Sequence, residues 1–519
     1  MLQHETIEKR RIKLQDMVDD AKSQLERNKL GQFATPSSLA RDITRYAAKM
    51  FSGKRVRFLD PAFGTGSFYS ALLSEFGEAV ERATGYEIDR SYADIARKLW
   101  TGTRLNLVVG DFTRAIPDDR VKANLVICNP PYVRHHHLSS RQKTRLRREV
   151  QKETGVRLNG LSGFYCYYVL LTGKWMRKDA LAGWLIPSEF MDVNYGVNLK
   201  KYLIENVTLL RIHRFDPQEV QFSDAYVSSA ILFFKNTAPR DENLVEVTYG
   251  GTLSSPNKAR LVNLVELRNT AKWTTLLESR VELQSGRISL GAFFTIRRGL
   301  ATGSNEFFIL NDEQVVANGI PKKFLKPILP APRQLKEDEI KADSEGNPTN
   351  VPRLFLISCD LDEKTVESSY PSLWSYLQRG VKKKVNQTYL CKHRRPWYSQ
   401  EERPPPPYLC SYIGRSSKRR TTPFRFILNN SNATASNSYL LLYPKPDLER
   451  SLRTRPELHK MIWRELQSIP SDDLIFAGRV YGGGLHKLEP KELTNLPIPN
   501  LLANISSVQF DNLANARTA

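Results

Sequence analysis

Residues 56–68 read Val56-Arg57-Phe58-Leu59-Asp60-Pro61-Ala62-Phe63-Gly64-Thr65-Gly66-Ser67-Phe68. A short apolar run ends in an acid, passes through a Gly-x-Gly turn and re-emerges as a helix-prone stretch. Such a strand–turn–helix lets main-chain groups approach a ligand closely, because glycine has no Cβ to hold it off. Two common versions of the turn do not fit. The dinucleotide fingerprint needs Gly or Ala where this chain has Tyr69, and the phosphate loop needs a Gly-Lys-Ser/Thr that is absent. A ligand with a ribose and a purine but no phosphate is left.

Six further apolar runs follow VRFLD: 83–88, 105–111, 123–129, 181–187, 207–213 and 227–234. Helix-like stretches at 36–51, 68–82, 90–100, 163–178 and 192–206 alternate with them. The alternation predicts an α/β fold: a seven-stranded, mainly parallel Rossmann-like sheet with helices on both faces. Open sheets of this kind bind ligands at the C-terminal ends of their strands. Glu87 ends the second strand and can accept from both ribose hydroxyls, with Ile88 beside it to pack on a purine. Asp111 and Phe112 end the third and offer an acceptor and an aromatic face. The competing reading is that acids after strands only cap helices.

The fourth strand, ANLVICN, runs into Asn129-Pro130-Pro131-Tyr132 on the same edge. Prolines cannot donate to a ladder, so this pair ends the strand and fixes a turn. A planar amine conjugated to a ring is a poor nucleophile because its lone pair is delocalised. Two acceptors holding its two protons would localise that pair. Asn129 supplies a side-chain carbonyl and Pro130 a main-chain one, while Tyr132 offers a face on which a planar ring can stack. A plain proline turn with a buried Tyr is the alternative.

The chain has 519 residues, 40% of them hydrophobic, and a net charge of +22 from 77 Lys+Arg against 55 Asp+Glu. Two to four domains are expected, and the charge calls for an anionic partner, nucleic acid before a membrane surface. Five scattered cysteines without a CxxC pair suggest reduced thiols. With no apolar leader at the start and no apolar run near membrane-spanning length, an intracellular, cytoplasmic protein is expected. Four segments are expected: a helical arm over 1–30, a catalytic domain over 31–240, a linker over 241–289 and a C-terminal α+β domain over 290–505.

Residues 375–425 hold five Lys and eight Arg against two Glu, half the net charge, interleaved with Tyr376, Tyr389, Trp397, Tyr398, Tyr408, Tyr412 and Phe424. Such a mixture suits phosphate contact and base readout. Arg394, Arg395, Arg415, Lys418, Arg419 and Arg420 are the expected nucleic-acid contacts. A second basic run, 141–157, is expected over the active-site edge. No metal is expected: His135, His136 and His137 are adjacent and cannot all turn to one ion.

The chain resembles the γ-class adenine-specific DNA methyltransferases of restriction–modification systems, the TaqI-like or Eco57I-type group. The resemblance rests on Gly31-Gln32-Phe33-Ala34-Thr35-Pro36, DPAFGTGSF, GYEID, GDF and NPPY. Beyond 290 it extends to RRGLATGSNEFF and FAGRVYGGGLHKLEPKELTNLPIP. It implies that Thr35, Pro36, Asp60, Ala62, Gly64, Gly66, Glu87, Ile88, Asp111, Phe112 and Asn129 hold S-adenosylmethionine. It implies that Asn129, Pro130, Pro131 and Tyr132 hold a flipped-out adenine, with Phe222 stacked on its other face. Where some relatives carry a basic residue after that Phe, this chain has Ala225. The implied reaction is methylation of adenine N6 in duplex DNA, protecting it from a separate cognate restriction endonuclease in a bacterial or archaeal cell. A nucleoid-associated monomer suffices, since asymmetric readout needs no dimer. Methylation of structured RNA or of a protein glutamine is the alternative; glutamine-specific relatives generally lack a large basic domain after the sheet. A non-catalytic subunit would tolerate loss of Asn129 or of the glycine loop, and both are present.

Overall fold

Val56–Asp60 forms β1, buried along nearly its whole length because four of its five residues face the core. It pairs in parallel with β2 (Val80–Glu87) on one side and β4 (Ala123–Cys128) on the other. β3 (Leu105–Val109) extends the sheet beyond β2, and β5 (Met176–Pro187) lies beside β4. β7 (Ser229–Lys235) runs antiparallel between β5 and β6 (Thr208–Arg214). The unbroken apolar runs of β4 and β7 explain their central places, since only a strand covered on both faces can bury them. All seven expected strands are therefore present, in the order β3-β2-β1-β4-β5-β7-β6.

The computed structural model describes residues 2–217, 228–277, 288–415, 422–481 and 485–498. Two compact units divide the chain: Met1–Val281 with Tyr481–Gly483, and Glu282–Val480 with Gly484–Ala519. In the first, helices α1 (Leu2–Asp20), α2 (Gln24–Leu30), α3 (Ser37–Met50), α4 (Ser67–Phe76), α5 (Arg90–Leu99), α6 (Ser140–Thr154), α7 (Phe164–Thr172) and α8 (Val197–Glu205) accompany the sheet. Two apolar clusters bury its two faces. One gathers α7, α8 and Trp175; the other gathers α3, α4, Phe63 and Trp100.

Three expectations need correction; one is the helix expected over 163–178, which ends at Thr172, with β5 beginning at Met176. The helix expected over 68–82 stops at Phe76, because Gly77 takes a φ of +50° and the chain turns at once into β2. Residues 241–289, expected to be a linker, carry two more strands. β8 (Leu244–Gly251) pairs in parallel with β6, and β9 (Pro256–Asn263) antiparallel with β8, so the sheet has nine strands. β9 is an exposed edge with only Val262 buried, and so lacks the apolar run that marks the interior strands.

The second unit is α+β, as expected. Strands Phe294–Arg298, Tyr439–Pro444, Tyr408–Ser411, Phe426–Asn429 and Glu339–Ile340 make its largest sheet. Leu440, Leu442, Tyr408 and Phe426 pack there with Leu448 and Leu452 of helix Pro446–Thr454 and with Leu458, Ile462 and Leu466 of helix Leu458–Ser468. All five cysteines are buried free thiols. Among the described residues no helix is long and apolar enough to cross a membrane.

Candidate active site

The turn after β1 is built by two acids that have little contact with water. Asp60 Oδ1 accepts from the Ala62 N–H at 3.1 Å, which bends the chain away from the strand. Glu87, at the end of β2, accepts from Gly64 N–H at 2.8 Å through one oxygen and from Asp89 N–H at 2.7 Å through the other. Burial pushes the Asp60 carboxyl up to about 7, against the pull of the Ala62 N–H, and raises Glu87 in the same way. Gly64 and Gly66 take φ of +57° and +93°. A Cβ on Gly66 would stand 2.6 Å from Trp100 Nε1 and 2.8 Å from the Phe63 ring, so glycine is required there by space as well as by conformation.

The residues present fit an adenosine-bearing ligand. A Cβ built on Gly64 or Gly110 meets nothing within 4 Å, so the space over the strand ends is open. Ile88, next to Glu87, is 64% exposed, an apolar face in need of a partner. Glu87 keeps a further lone pair on each oxygen for a hydroxyl. Asp111 is partly engaged: Oδ1 accepts from Thr113 N–H at 2.9 Å, and Oδ2 faces Arg145 of α6 at 3.6 Å.

Phe112 departs from expectation. Its ring is 2% exposed and packs against Tyr86, Tyr168 and Trp175 with centroids 5.3 to 5.7 Å away. A short helical turn at Phe112–Arg114 carries this side chain into the core rather than to the edge. Asp60 too is enclosed, at 1% exposure, so it shapes the turn and offers no free face. Ala62 is half-buried within that turn.

Asn129 follows β4 directly. Its Nδ2 donates to Phe33 O and to Thr35 Oγ1, both at 3.1 Å. A carbonyl can only accept, so the amide nitrogen must face Phe33 and the oxygen must face the other way. That oxygen, Oδ1, is buried without a hydrogen-bond partner. An orphaned buried acceptor is costly, on the order of 1–3 kcal/mol, and such a group calls for an explanation. Thr35 also accepts at its carbonyl from Ser67 Oγ at 3.0 Å, and Pro36 leads into α3.

The segment before α3 is held against Asn129-Pro130-Pro131-Tyr132 by close main-chain contact. Tyr132 N–H donates to Gly31 O at 3.1 Å, and a Cβ on Gly31 would stand 2.5 Å from Tyr132 N. The Tyr132 hydroxyl donates to Leu185 O at 3.1 Å, and its ring lies 5.8 Å from Phe33 at 42°. Pro130 is buried and Pro131 half-buried. Phe222 lies outside the described residues.

Residues 135–137 form a short turn at the surface, and among the described residues no cluster of His, Cys, Asp or Glu is arranged to hold a metal. The basic run 141–157 includes α6, whose Arg141, Arg147 and Arg148 are exposed.

In the second unit the charge count overstates what is free. Arg394 donates to Ala301 O at 2.6 Å, Thr302 O at 2.8 Å and Gln400 Oε1 at 3.2 Å, so it holds the 301–305 loop. Arg425 is spent on Asp338 and on the carbonyls of Pro332, Leu335 and Glu337. Arg395 and Arg415 are exposed, while Lys418, Arg419 and Arg420 lie outside the described residues. Most of the interleaved aromatics are core: Tyr376, Tyr398, Tyr408, Tyr412 and Phe424 are buried. Trp397 is half-buried, and Tyr389 is 74% exposed, beside exposed Lys392 and Arg395.

The order β3-β2-β1-β4-β5-β7-β6 with antiparallel β7 and a glycine loop after β1 is the framework of S-adenosylmethionine-dependent methyltransferases. Residues 86–221 match the Eco57I restriction-modification methylase family, and residues 271–518 match the C-terminal domain of type II methyltransferase M.Eco57I. The chain belongs to the Eco57I-type restriction–modification methylases, DNA methyltransferases whose cofactor is S-adenosylmethionine. Type II methyltransferase M.AccI of Acinetobacter calcoaceticus is 26% identical over 488 residues, 90% of this chain and 85% of its own length. M.XamI of Xanthomonas campestris pv. amaranthicola is 27% identical over 480 residues, 91% and 85% of the two chains. The type IIG restriction endonuclease BpuSI, a solved structure, is 17% identical with a TM-score of 0.46, over 98% of this chain and 62% of that one.

Sequence reading missed Phe33, whose main-chain oxygen orients Asn129, and the α1 residues Arg11 and Gln15, which touch the glycine loop. Nothing in an isolated sequence marks a main-chain acceptor. Arg11 and Gln15 sit in a charged stretch that resembles a solvated helix.

The raised carboxyl of Asp60 has a consequence for stability. Its neutral form is favoured by the fold, so its contribution is complete below about pH 4 and is lost as pH rises to about 7. Asp60→Asn cannot ionise. Without cofactor, its melting temperature relative to the native chain is expected to climb between pH 4 and 7 and level off above 8. The shift corresponds to at most about 4 kcal/mol. A difference that stays flat across this range contradicts the assignment.

Proposed function

We propose that the chain is a site-specific adenine-N6 DNA methyltransferase that acts on a base turned out of the duplex. The observation that carries this reading is the orphaned Asn129 Oδ1, aimed by two bonds that leave it nothing to accept. An exocyclic amine brings the protons this oxygen lacks. When bound, S-adenosylmethionine supplies an electrophilic methyl group. Asn129 Oδ1 and the Pro130 carbonyl accept hydrogen bonds from the two amine N–H groups and draw the nitrogen's lone pair out of conjugation. Tyr132, fixed by Leu185 O, and Phe222 provide faces for the ring. Transfer would form one N–C bond on the base as the S–CH3 bond breaks with its electron pair left on sulfur, and one amine proton would pass to water.

Cysteine chemistry is disfavoured. Attack on a pyrimidine ring carbon needs an accessible thiolate, yet Cys128, beside Asn129, is fully buried and burial drives its thiol well above the ordinary value. An amine inside a duplex is hidden, so the base must leave the stack at a cost of a few kcal/mol. Phosphate contacts can offset that cost. Exposed Arg141, Arg147 and Arg148 of α6 in the first unit and Lys392, Arg395 and Arg415 in the second supply them. The protein would work as a monomer in the cytoplasm, alongside a separate endonuclease of the same specificity.

The direct test supplies S-adenosylmethionine with a labelled methyl to duplex DNA, tRNA and protein extract in parallel, with nucleoside analysis of the product. The expected product is N6-methyladenine in DNA. N4-methylcytosine would keep the Asn129 chemistry and overturn the base assignment, and label confined to RNA or protein would overturn the DNA reading. The charge assignment has its own test. Lys392→Ala with Arg395→Ala is expected to reduce the slope of log K against log salt by about two. An unchanged slope removes those residues from the interface.

A further inference from the structure

α1 carries few apolar residues and has the composition of a solvated helix, yet Arg11 on it is 2% exposed. A guanidinium enclosed to that degree needs partners for its donors. Nε and Nη2 donate to the two Glu8 oxygens at 2.9 and 2.7 Å, and Nη2 also reaches Ser37 Oγ at 3.0 Å. Nη1 donates to Thr65 Oγ1 at 2.9 Å. Ser37 Oγ donates to Glu8 as well. Burial pushes the Glu8 carboxyl up, but the bonds from Arg11 and Ser37 and the Arg11 charge outweigh it and hold Glu8 below its ordinary value.

Thr65 is the middle residue of Gly64-Thr65-Gly66. Its hydroxyl donates to Gln15 Oε1 at 2.6 Å while accepting from Arg11. Its carbonyl accepts from Trp100 Nε1 at 2.9 Å. Thr65 is the one residue of this triplet with a side chain by which the turn can be held, since both neighbours are glycines at positive φ. The network continues along α1. Gln15 Nε2 donates to Asp19, which also accepts from Tyr92 of α5, and Lys22 just beyond α1 pairs with Asp89. Asp89 N–H donates to Glu87. The N-terminal segment is thereby bonded to three of the stretches assigned to the cofactor site: 35–37, 64–66 and 87–89.

We infer that α1 is a working part of the cofactor site and that Arg11 is a positioning residue for S-adenosylmethionine, acting through Thr65. The inference rests on the glycine loop being the cofactor-binding segment. A two-glycine turn free in solution must lose its conformational freedom when a ligand binds. Arg11 and Gln15 hold the turn in advance, so that loss is not charged to binding. Arg11 touches neither the cofactor nor the target base. Its removal should weaken cofactor affinity while leaving DNA affinity and turnover at saturating cofactor near their native values.

The test uses full-length protein and four variants: Arg11→Met, Arg11→Lys, Thr65→Val and Thr65→Ser. Calorimetric titration with S-adenosylmethionine is read beside DNA binding, melting temperature and the split between KM and kcat. Arg11→Met and Thr65→Val are expected to raise the cofactor Kd about tenfold or more, with DNA Kd unchanged. Thr65→Ser, which keeps the hydroxyl, is expected to stay within about twofold, and Arg11→Lys to fall between. If Arg11→Met does not fold, the Thr65 pair decides. Native cofactor affinity in folded Thr65→Val overturns the inference, as does a Thr65→Ser that loses as much as Thr65→Val. A native chain that fails to bind S-adenosylmethionine would overturn the reading of the glycine loop itself, and this inference with it.

Discussion

The structure turns on the orientation of one carboxamide. Asn129 could present either end to the site, and the two ends have opposite chemistry. Phe33 O removes the choice because it can only accept, and Thr35 Oγ1 takes the second proton of the same nitrogen. The buried oxygen is then left without a donor. This explains why residues 31–36 must lie against the end of β4, and why Gly31 admits no side chain where Tyr132 N passes. It explains the prolines too. They end the strand at Asn129 without leaving stranded N–H groups, so the carboxamide stands at the sheet's edge instead of within its ladder.

The cofactor side follows a related logic. Two buried acids take main-chain N–H groups and so set the path of the turn. Asp60 bends the chain at Ala62, and Glu87 ties β2 to Gly64. The cost is that both carboxyls are raised by desolvation, which makes the turn one of the more pH-sensitive parts of the fold. The open space beside Gly64, Gly110 and Ile88 is what those constraints create.

Much of this was legible in the sequence, and the reasons differ by element. Seven strands announce themselves as apolar runs, six of them inside the sheet and β3 at its edge, whereas β8, which alternates buried and part-exposed residues, does not. β9 does not, since an edge strand facing water carries Lys258 and Arg260 as readily as a loop does. The turn at Asn129 was readable because a proline pair must end a strand. Phe112 misled: its place after a strand is right, but a single helical turn decides whether a ring faces the ligand or the core. Charge counting misled more widely. Arg394 is expected as a nucleic-acid contact and Arg425 is counted in the basic run, but they serve carbonyls and an acid inside the second unit. Arg11 was not singled out, because its partners Thr65 and Ser37 are far away in the chain.

The most direct test of the central claim is single-turnover methyl transfer by Asn129→Ala, with cofactor and DNA binding measured on the same preparation. If the free Asn129 oxygen holds the reacting amine, transfer falls about a hundredfold or more while both affinities stay within a few fold of native. Transfer at a near-native rate, or loss of binding in step with loss of transfer, would contradict that role.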